Sequence, residues 1–428
     1  MAERTYHENI DFATDSGETI GTLNKGLGKI DRPIATGEIP RLDWNLLRED
    51  LSLPTAVLYE ERLAKNLKWM QKFMAKYGAQ LAPHGKTTMC PKLFARQLEG
   101  GAWGITLATA QQTRAAYEHG VRRVLMANQL VGKQNMAIIS ALLEDPRFEY
   151  FCLVDSAALV EQLGGFFQER NQRLNVLIEL GVEGGRTGVR NREQLDEVLA
   201  AIARWRESIV LSGVELYEGV LDGEAAIREF LRRAVAITGE LADAKRFGRT
   251  PAILSGAGSA WYDVVAEEFS KARDVEVVLR PGCYLTHDVG VYRVAQEKIH
   301  ARNEIARQME SGLLPALQLW AYVQSVPEKT RAIVTLGKRD AAFDAGLPTP
   351  ALHYRPGAAA PVAGPGSWEL TKMMDQHAYL QIAEGDDVRV GDMIGFDISH
   401  PCLTFDKWRY LMIVDSSYRV IDVVQTFF

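Results

Sequence analysis

The stretch EYFCLVDSAALVEQLGGFFQERNQRLNVLIEL, residues 149–180, decides the fold. It opens with an apolar, β-rich run, EYFCLV from Glu149. A helical pattern follows, SAALVEQLGGFFQER from Ser156, and a second apolar run, LNVLIEL from Leu174, closes the unit. Strands that are apolar along their whole length are covered on both faces. Joined by a helix, they form a parallel pair with a crossover connection.

The same unit recurs on either side. Upstream lie AQLAP from Ala79, WGITLA from Trp103 and RVLMA from Arg123. Downstream lie IVLSGVEL from Ile209, PAILS from Pro251 and VEVVLR from Val275. The segments between them read as helices, the longest from Gly223 to about Arg246. Eight such strands predict a (β/α)8 barrel over residues 51–290, with an open doubly wound sheet as the alternative.

Past residue 290 the texture changes. Short runs punctuated by glycine and proline follow: LQLWAYVQSV from Leu317, TRAIVTLG from Thr330, DMIGFDIS from Asp392, RYLMIVD from Arg409 and YRVIDVVQTF from Tyr418. They predict a mainly antiparallel β domain over residues 291–428. AGLPTPALHYRPGAAAPVAGPGS from Ala345 reads as a long loop. Residues 1–50 are polar and weakly patterned, and are expected to pack with the β domain.

Composition bounds the function. The 428 residues are 47% hydrophobic and 24% charged, enough for a large buried core. A net charge of −6 gives no basic patch for nucleic acid. No apolar run is long enough to span a membrane, and MAERTYHENIDFATD does not read as a signal peptide. Four scattered cysteines, Cys90, Cys152, Cys283 and Cys402, form no disulfide framework, so a reducing cytoplasm is the expected compartment.

Barrel active sites lie at the C-terminal ends of the strands. There the sequence places Pro83-His84-Gly85-Lys86-Thr87, Asn128-Gln129, Glu179 with Arg186-Thr187-Gly188, Tyr217-Glu218-Gly219, Ser255 to Ser259, and Arg280 to Tyr284. The loop Ser255-Gly256-Ala257-Gly258-Ser259 combines close backbone approach with a helix start, which suits a phosphate. A tight βα turn explains the same residues without a ligand. Lys86 lacks the upstream glycines of a P-loop. It reads either as a solvated charge or, beside His84 and across from a phosphate cradle, as a Schiff-base lysine. His400 and Cys402, two apart on extended chain after a strand, suit zinc but are too few for a closed site. Water, substrate or a distant side chain such as His377 would complete it.

Taken in order, these motifs resemble the D-serine dehydratase and D-threonine aldolase group of alanine-racemase-like, fold type III enzymes, often called amino acid deaminases in bacteria. The resemblance covers about residues 50–428. It implies that Lys86 carries pyridoxal phosphate and moves the α proton, with His84 beside it. It implies that Thr187, Tyr217, Ser255, Gly256, Gly258, Ser259 and Tyr284 contribute to cofactor binding, Tyr284 through a hydroxyl to the phosphate. Arg186 would stand near the pyridine nitrogen, and His400 and Cys402 would hold a metal. A cysteine as the second ligand resembles the zinc branch; aspartate, with manganese, is common in the aldolase branch. Gln376 precedes His377 where relatives often carry glutamate, a departure in that loop.

The implied activity is dehydration of D-serine or D-threonine to a 2-keto acid and ammonia. D-threonine aldolase is the alternative on the same machinery. An amino acid racemase, a non-catalytic cofactor carrier and a barrel metallohydrolase are rivals of other classes. The resemblance also implies a homodimer with the active site near the interface.

Overall fold

The computed structural model describes residues 19–309 and 312–428. Eight parallel strands form the first body: β1 Gln80–Leu81, β2 Ile105–Leu107, β3 Arg123–Gln129, β4 Glu149–Val154, β5 Leu174–Leu180, β6 Ile209–Leu216, β7 Ala252–Gly256 and β8 Val275–Leu279. Consecutive strands neighbour one another from β2 to β8, and β8 pairs with β1. The ring closes where Trp103 N–H donates to the Leu81 carbonyl at 2.7 Å and Thr106 N–H to the Pro83 carbonyl at 2.9 Å. This closure makes a barrel rather than an open sheet.

Strand periodicity sorts the side chains. Leu125, Ala127, Phe151, Leu153, Leu177, Ile253 and Val278 fill the barrel interior with Ala82 and Trp103. Their neighbours Cys152, Val154, Val176 and Ile178 face the helices and join the main core. Helices start where the sequence offers caps: Ser156 Oγ accepts from Leu159 N–H at 3.4 Å and Asn191 Oδ1 from Gln194 N–H at 2.9 Å.

The second body is a largely antiparallel sheet built on the long strand Leu317–Glu328. Two boundaries differ from expectation. Thr55–Tyr59 lies within the stretch expected for the barrel, yet pairs antiparallel with Leu317–Glu328 and parallel with Tyr410–Val414. Its five residues are all buried, which the middle of a two-layered sheet provides. The helix Val291–Arg302, expected within the β domain, packs on barrel helices instead, where His300 meets the Trp69 ring. It carries few apolar residues, and Ala295 and Ile299 bury while Tyr262 donates to Gln296 Oε1 at 2.7 Å.

The expected loop after Ala345 contains the strands Thr349–Tyr354 and Val362–Ala363. Polar contacts hold this edge: Arg355 Nε donates to Asp392 Oδ1 at 2.8 Å, and His353 Nε2 lies 2.8 Å from Asp392 Oδ2. The hairpin Glu369–Met373 and Ala378–Gln381 lies within the expected β domain but outside the runs read as strands. Within the N-terminal segment, Ile20, Leu27, Ile34, Ile39, Trp44 and Leu46 cluster with Trp320, Met412 and Val423 of the β domain. Residues 1–18 of that segment lie outside the described residues. Among the described residues no helix is long and apolar enough to cross a membrane.

Candidate active site

A cavity of about 520 Å³ opens at the C-terminal end of the barrel, where the β domain meets it. Lys86 stands in it on a one-turn 3-10 helix, Gly85–Thr87, directly after β1. The turn is wedged in place: a Cβ at Gly85 would come within 2.8 Å of both Ile105 and Phe94. Gly85 and Thr87 are buried while Lys86 between them is exposed to the cavity. A Cβ at Gly282 would lie 2.7 Å from both the His84 carbonyl and Thr87 Oγ1, so the loop after β8 presses on the Lys86 loop.

The loop after β7 forms the opposite wall. Glu218, fully buried, accepts from Ala257 N–H at 3.1 Å and from Gly258 N–H at 2.7 Å. Gly258 lies against the Tyr217 ring, where a Cβ would stand 2.9 Å from Cε2. Ser259 Oγ accepts from the backbone N–H groups of Gly282 and Cys283 at 3.2 and 3.1 Å. Its hydroxyl proton is left for a ligand. Gly258, Ser259, Tyr217 and Arg186 all line the cavity, and the Arg186 guanidinium sits 4.8 Å from the Tyr217 ring centre.

Four expected cofactor residues do not line it. Gly256 makes room for Phe269 and Val265, which a Cβ would meet at 3.1 and 3.3 Å; its role is packing of helix on sheet. Thr187 donates to Glu179 Oε1 at 2.6 Å, and Gln129 donates to Glu179 Oε2 at 2.5 Å, so Thr187 fixes the loop that carries Arg186. Tyr284 is 1% exposed, and its hydroxyl accepts from Gln97 Nε2 at 3.0 Å in the core rather than facing the cradle. Ser255 is buried one step below the cavity, its hydroxyl without a partner.

That free hydroxyl has company. Glu215 pairs with Ser255 in the β6–β7 register and accepts a buried hydrogen bond from Arg280, which also donates to the Leu216 carbonyl at 3.0 Å. Arg280 Nε, Glu215 Oε2 and His84 Nδ1 are buried without partners. Buried polar atoms are nearly always satisfied, so a cluster of free ones beside a cavity marks where a polar ligand belongs. Burial, which outweighs the attraction of Arg280, pushes the Glu215 carboxyl up to about 8. Burial, and then Lys86 and Arg280, hold the His84 imidazole well below its usual range, so it is neutral.

The β domain of the same chain supplies the remaining wall. Cys402 Sγ lies 3.5 Å from Thr87 Oγ1 and 3.7 Å from Cys283 Sγ. His400 Nδ1 lies 2.7 Å from Asp344 Oδ2, an arrangement that orients the other ring nitrogen. The two residues are not on extended chain as expected: the strand ends at Asp397 and Cys402 begins a short helix, Cys402–Phe405. The Cys402 thiol is lowered by donation from Cys283 and then by His400; His400 is raised by Cys402 and Asp344. His377 is exposed near Gln324 and does not line the cavity. Among the described residues no group of three or more His, Cys, Asp or Glu side chains is placed to hold a metal ion, so His400 and Cys402 stand as a pair.

Both implied groups fit these residues. Pyridoxal phosphate matches a lysine in an open cavity, a loop with no room for a Cβ, and unsatisfied buried donors and acceptors. A divalent cation matches a thiol and an imidazole, the latter held by a carboxylate. Sequence reasoning assigned no role to Glu215, Glu218, Arg280, Cys283, Tyr292 or Asp344. Glu215, Glu218 and Arg280 stand in or next to the strand-end motifs, where charge in an apolar setting was a usable signal, and Cys283 stands within one of those motifs. Asp344 had none, being 56 residues from His400.

Residues 59–288 match the family described as alanine racemase, N-terminal domain, and residues 316–414 match the putative serine dehydratase domain. D-threonine aldolase from Arthrobacter sp is 25% identical over 368 residues, 84% of this chain and 88% of that protein. D-threo-3-hydroxyaspartate dehydratase from Delftia sp. (strain HT23) is 27% identical over 244 residues, 56% of this chain and 62% of that protein. Among solved structures, D-threonine aldolase from Filomicrobium marinum superposes with a TM-score of 0.73 at 21% identity, covering 90% of this chain and 97% of that one. The Delftia dehydratase gives 0.69 at 22% identity, covering 90% and 99%. At these identities the superpositions speak for the fold.

Proposed function

The chain belongs to the family of the alanine racemase N-terminal domain, and from that premise we propose that it is a pyridoxal-phosphate-dependent lyase of small β-hydroxy D-amino acids. The reaction we favour converts D-serine or D-threonine to a 2-keto acid and ammonia. One observation carries the reading: Lys86 after β1, the Gly258–Ser259 cradle after β7, and the His400–Cys402 pair of the second domain line one cavity. A carrier or racemase has no use for the last pair. The cavity's tyrosines, Tyr217 and Tyr292, both come from the barrel, so the β domain contributes no tyrosine to it among the described residues.

When bound, pyridoxal phosphate supplies an electron sink beside Cα, and a divalent cation at His400 and Cys402 supplies Lewis acidity near Cβ. We assign that cation as zinc because a thiol is in the donor set. The chain does the rest. Lys86 holds the cofactor, then takes the Cα proton. Neutral His84 adds no positive charge beside Lys86. Glu218 ties down the cradle backbone, Ser259 offers its hydroxyl to phosphate, and Arg280 presents a free Nε–H. Asp344 orients His400.

Loss of the Cα proton and of the β-hydroxyl as water leaves an enamine, which hydrolyses to the keto acid and ammonia. The competing course, favoured by the likeness to D-threonine aldolase, removes the hydroxyl proton and breaks Cα–Cβ, giving glycine and an aldehyde. Product analysis with D-serine and D-threonine decides. Keto acid with ammonia in equal amounts is expected; glycine with aldehyde transfers the assignment to the aldolase, and the enantiomer alone overturns both.

A further inference from the structure

Cys283 has no part in the reading above, yet its position is unusual. Cys90 and Cys152 belong to the apolar core. Cys283 is 3% exposed but lies outside the hydrophobic clusters and lines the catalytic cavity. Its backbone is pinned: its N–H donates to Ser259 Oγ at 3.1 Å and its carbonyl accepts from His287 N–H at 2.7 Å. The preceding Gly282 is pressed onto the Lys86 loop. The thiol is therefore delivered to its place by the barrel scaffold, and that place is beside Cys402.

The Sγ–Sγ distance is 3.7 Å. A disulfide would need about 2.05 Å, and all four cysteines are free thiols. Two thiolates on one tetrahedral zinc, each about 2.3 Å from the metal, stand about 3.8 Å apart. We propose that Cys283 is a further protein ligand of the metal, forming a Cys2His site with Cys402 and His400. The inference rests on the reading of His400 and Cys402 as metal ligands. Cys402 is the shared member, close to both others. Among the described residues these three do not already stand as a metal-holding group, so a side-chain adjustment of His400 or Cys283 is required to bring all three onto one ion. Thr87 Oγ1, 3.5 Å from one sulfur and 3.9 Å from the other, is placed to donate to a thiolate. Three protein ligands with a fourth position open is the arrangement of catalytic zinc, and two thiolates select zinc over manganese.

The test is X-ray absorption at the zinc edge on the holoenzyme loaded with one zinc per chain. Two sulfurs in the first shell are expected. In Cys283→Ser one sulfur remains, and zinc affinity by equilibrium dialysis falls at least roughly 10-fold, the least that even outer contacts to a metal are worth. A single sulfur in the unmodified enzyme overturns the Cys283 assignment while leaving His400 and Cys402 in place. Failure of the unmodified enzyme to bind zinc overturns that earlier reading as well. Should Cys283→Ser not fold, the sulfur count of the unmodified enzyme decides alone.

Discussion

The two walls of the cavity are built differently. On the barrel side everything is fixed from behind. Gly85, Gly258 and Gly282 leave no room for a Cβ, and the side chains of Arg280 and Glu215 are 5% and 1% exposed. On the β-domain side the His400 and Asp344 side chains are 23% and 41% exposed, and Leu403 and Phe428 stand open at the rim. The barrel wall is a preformed mould for a rigid ligand. The β-domain wall is a short helix and a loop tip whose side chains have space to adjust. A cofactor that stays for many turnovers suits the first, and a metal that meets a changing substrate suits the second.

Separating the walls by mutation is the most direct way to break this comparison. Lys86→Ala should lower turnover by at least about 10³-fold, as expected when the covalent anchor and the proton carrier are one group. It should also remove the visible absorbance of the bound cofactor. Undiminished absorbance in that variant sinks the barrel-wall assignment. His400→Ala should lower turnover by roughly 100-fold while that absorbance stays, because the barrel wall holds the cofactor unaided. A chelator should reproduce the His400→Ala phenotype and added zinc should reverse it in the unmodified enzyme. Loss of cofactor from His400→Ala would mean that the walls are one unit.

The same contrast governs what could be read from sequence. The eight barrel strands were legible because fully apolar runs such as LNVLIEL leave few alternatives. The catalytic motifs were legible because the barrel puts strand ends at one rim. Tyr284 and Gly256 misled because both belong to such motifs but serve the core, and only coordinates show that Gln97 meets the Tyr284 hydroxyl. The β domain was less legible. Its strand Thr349–Tyr354 is anchored by a His353 contact and an adjoining Arg355 ion pair to Asp392 rather than by an apolar pattern, and Thr55–Tyr59 joins its sheet from far upstream. Asp344 and His400 meet only through tertiary folding.

The smallest expected effect tests whether the barrel wall stores free energy in its buried acid. Burial raises the Glu215 carboxyl from 4.5 to about 8. Between those values the unfolded chain has released the proton that the folded chain retains. The folded state binds more protons at this group there, so the contribution of Glu215 to stability falls as pH rises from about 4.5 to about 8 and levels off above it. Glu215→Gln keeps the shape and the partners but removes the titration. In urea unfolding of the apoenzyme, the midpoint of the unmodified chain should therefore decline relative to that of Glu215→Gln across this window. Bound cofactor should flatten the decline, if a ligand satisfies Glu215 Oε2, Ser255 Oγ and Arg280 Nε. Parallel midpoints across the window would mean that Arg280 keeps Glu215 ionised throughout. The barrel wall would then be an ion pair with no titrating proton, as fixed in charge as it is in shape.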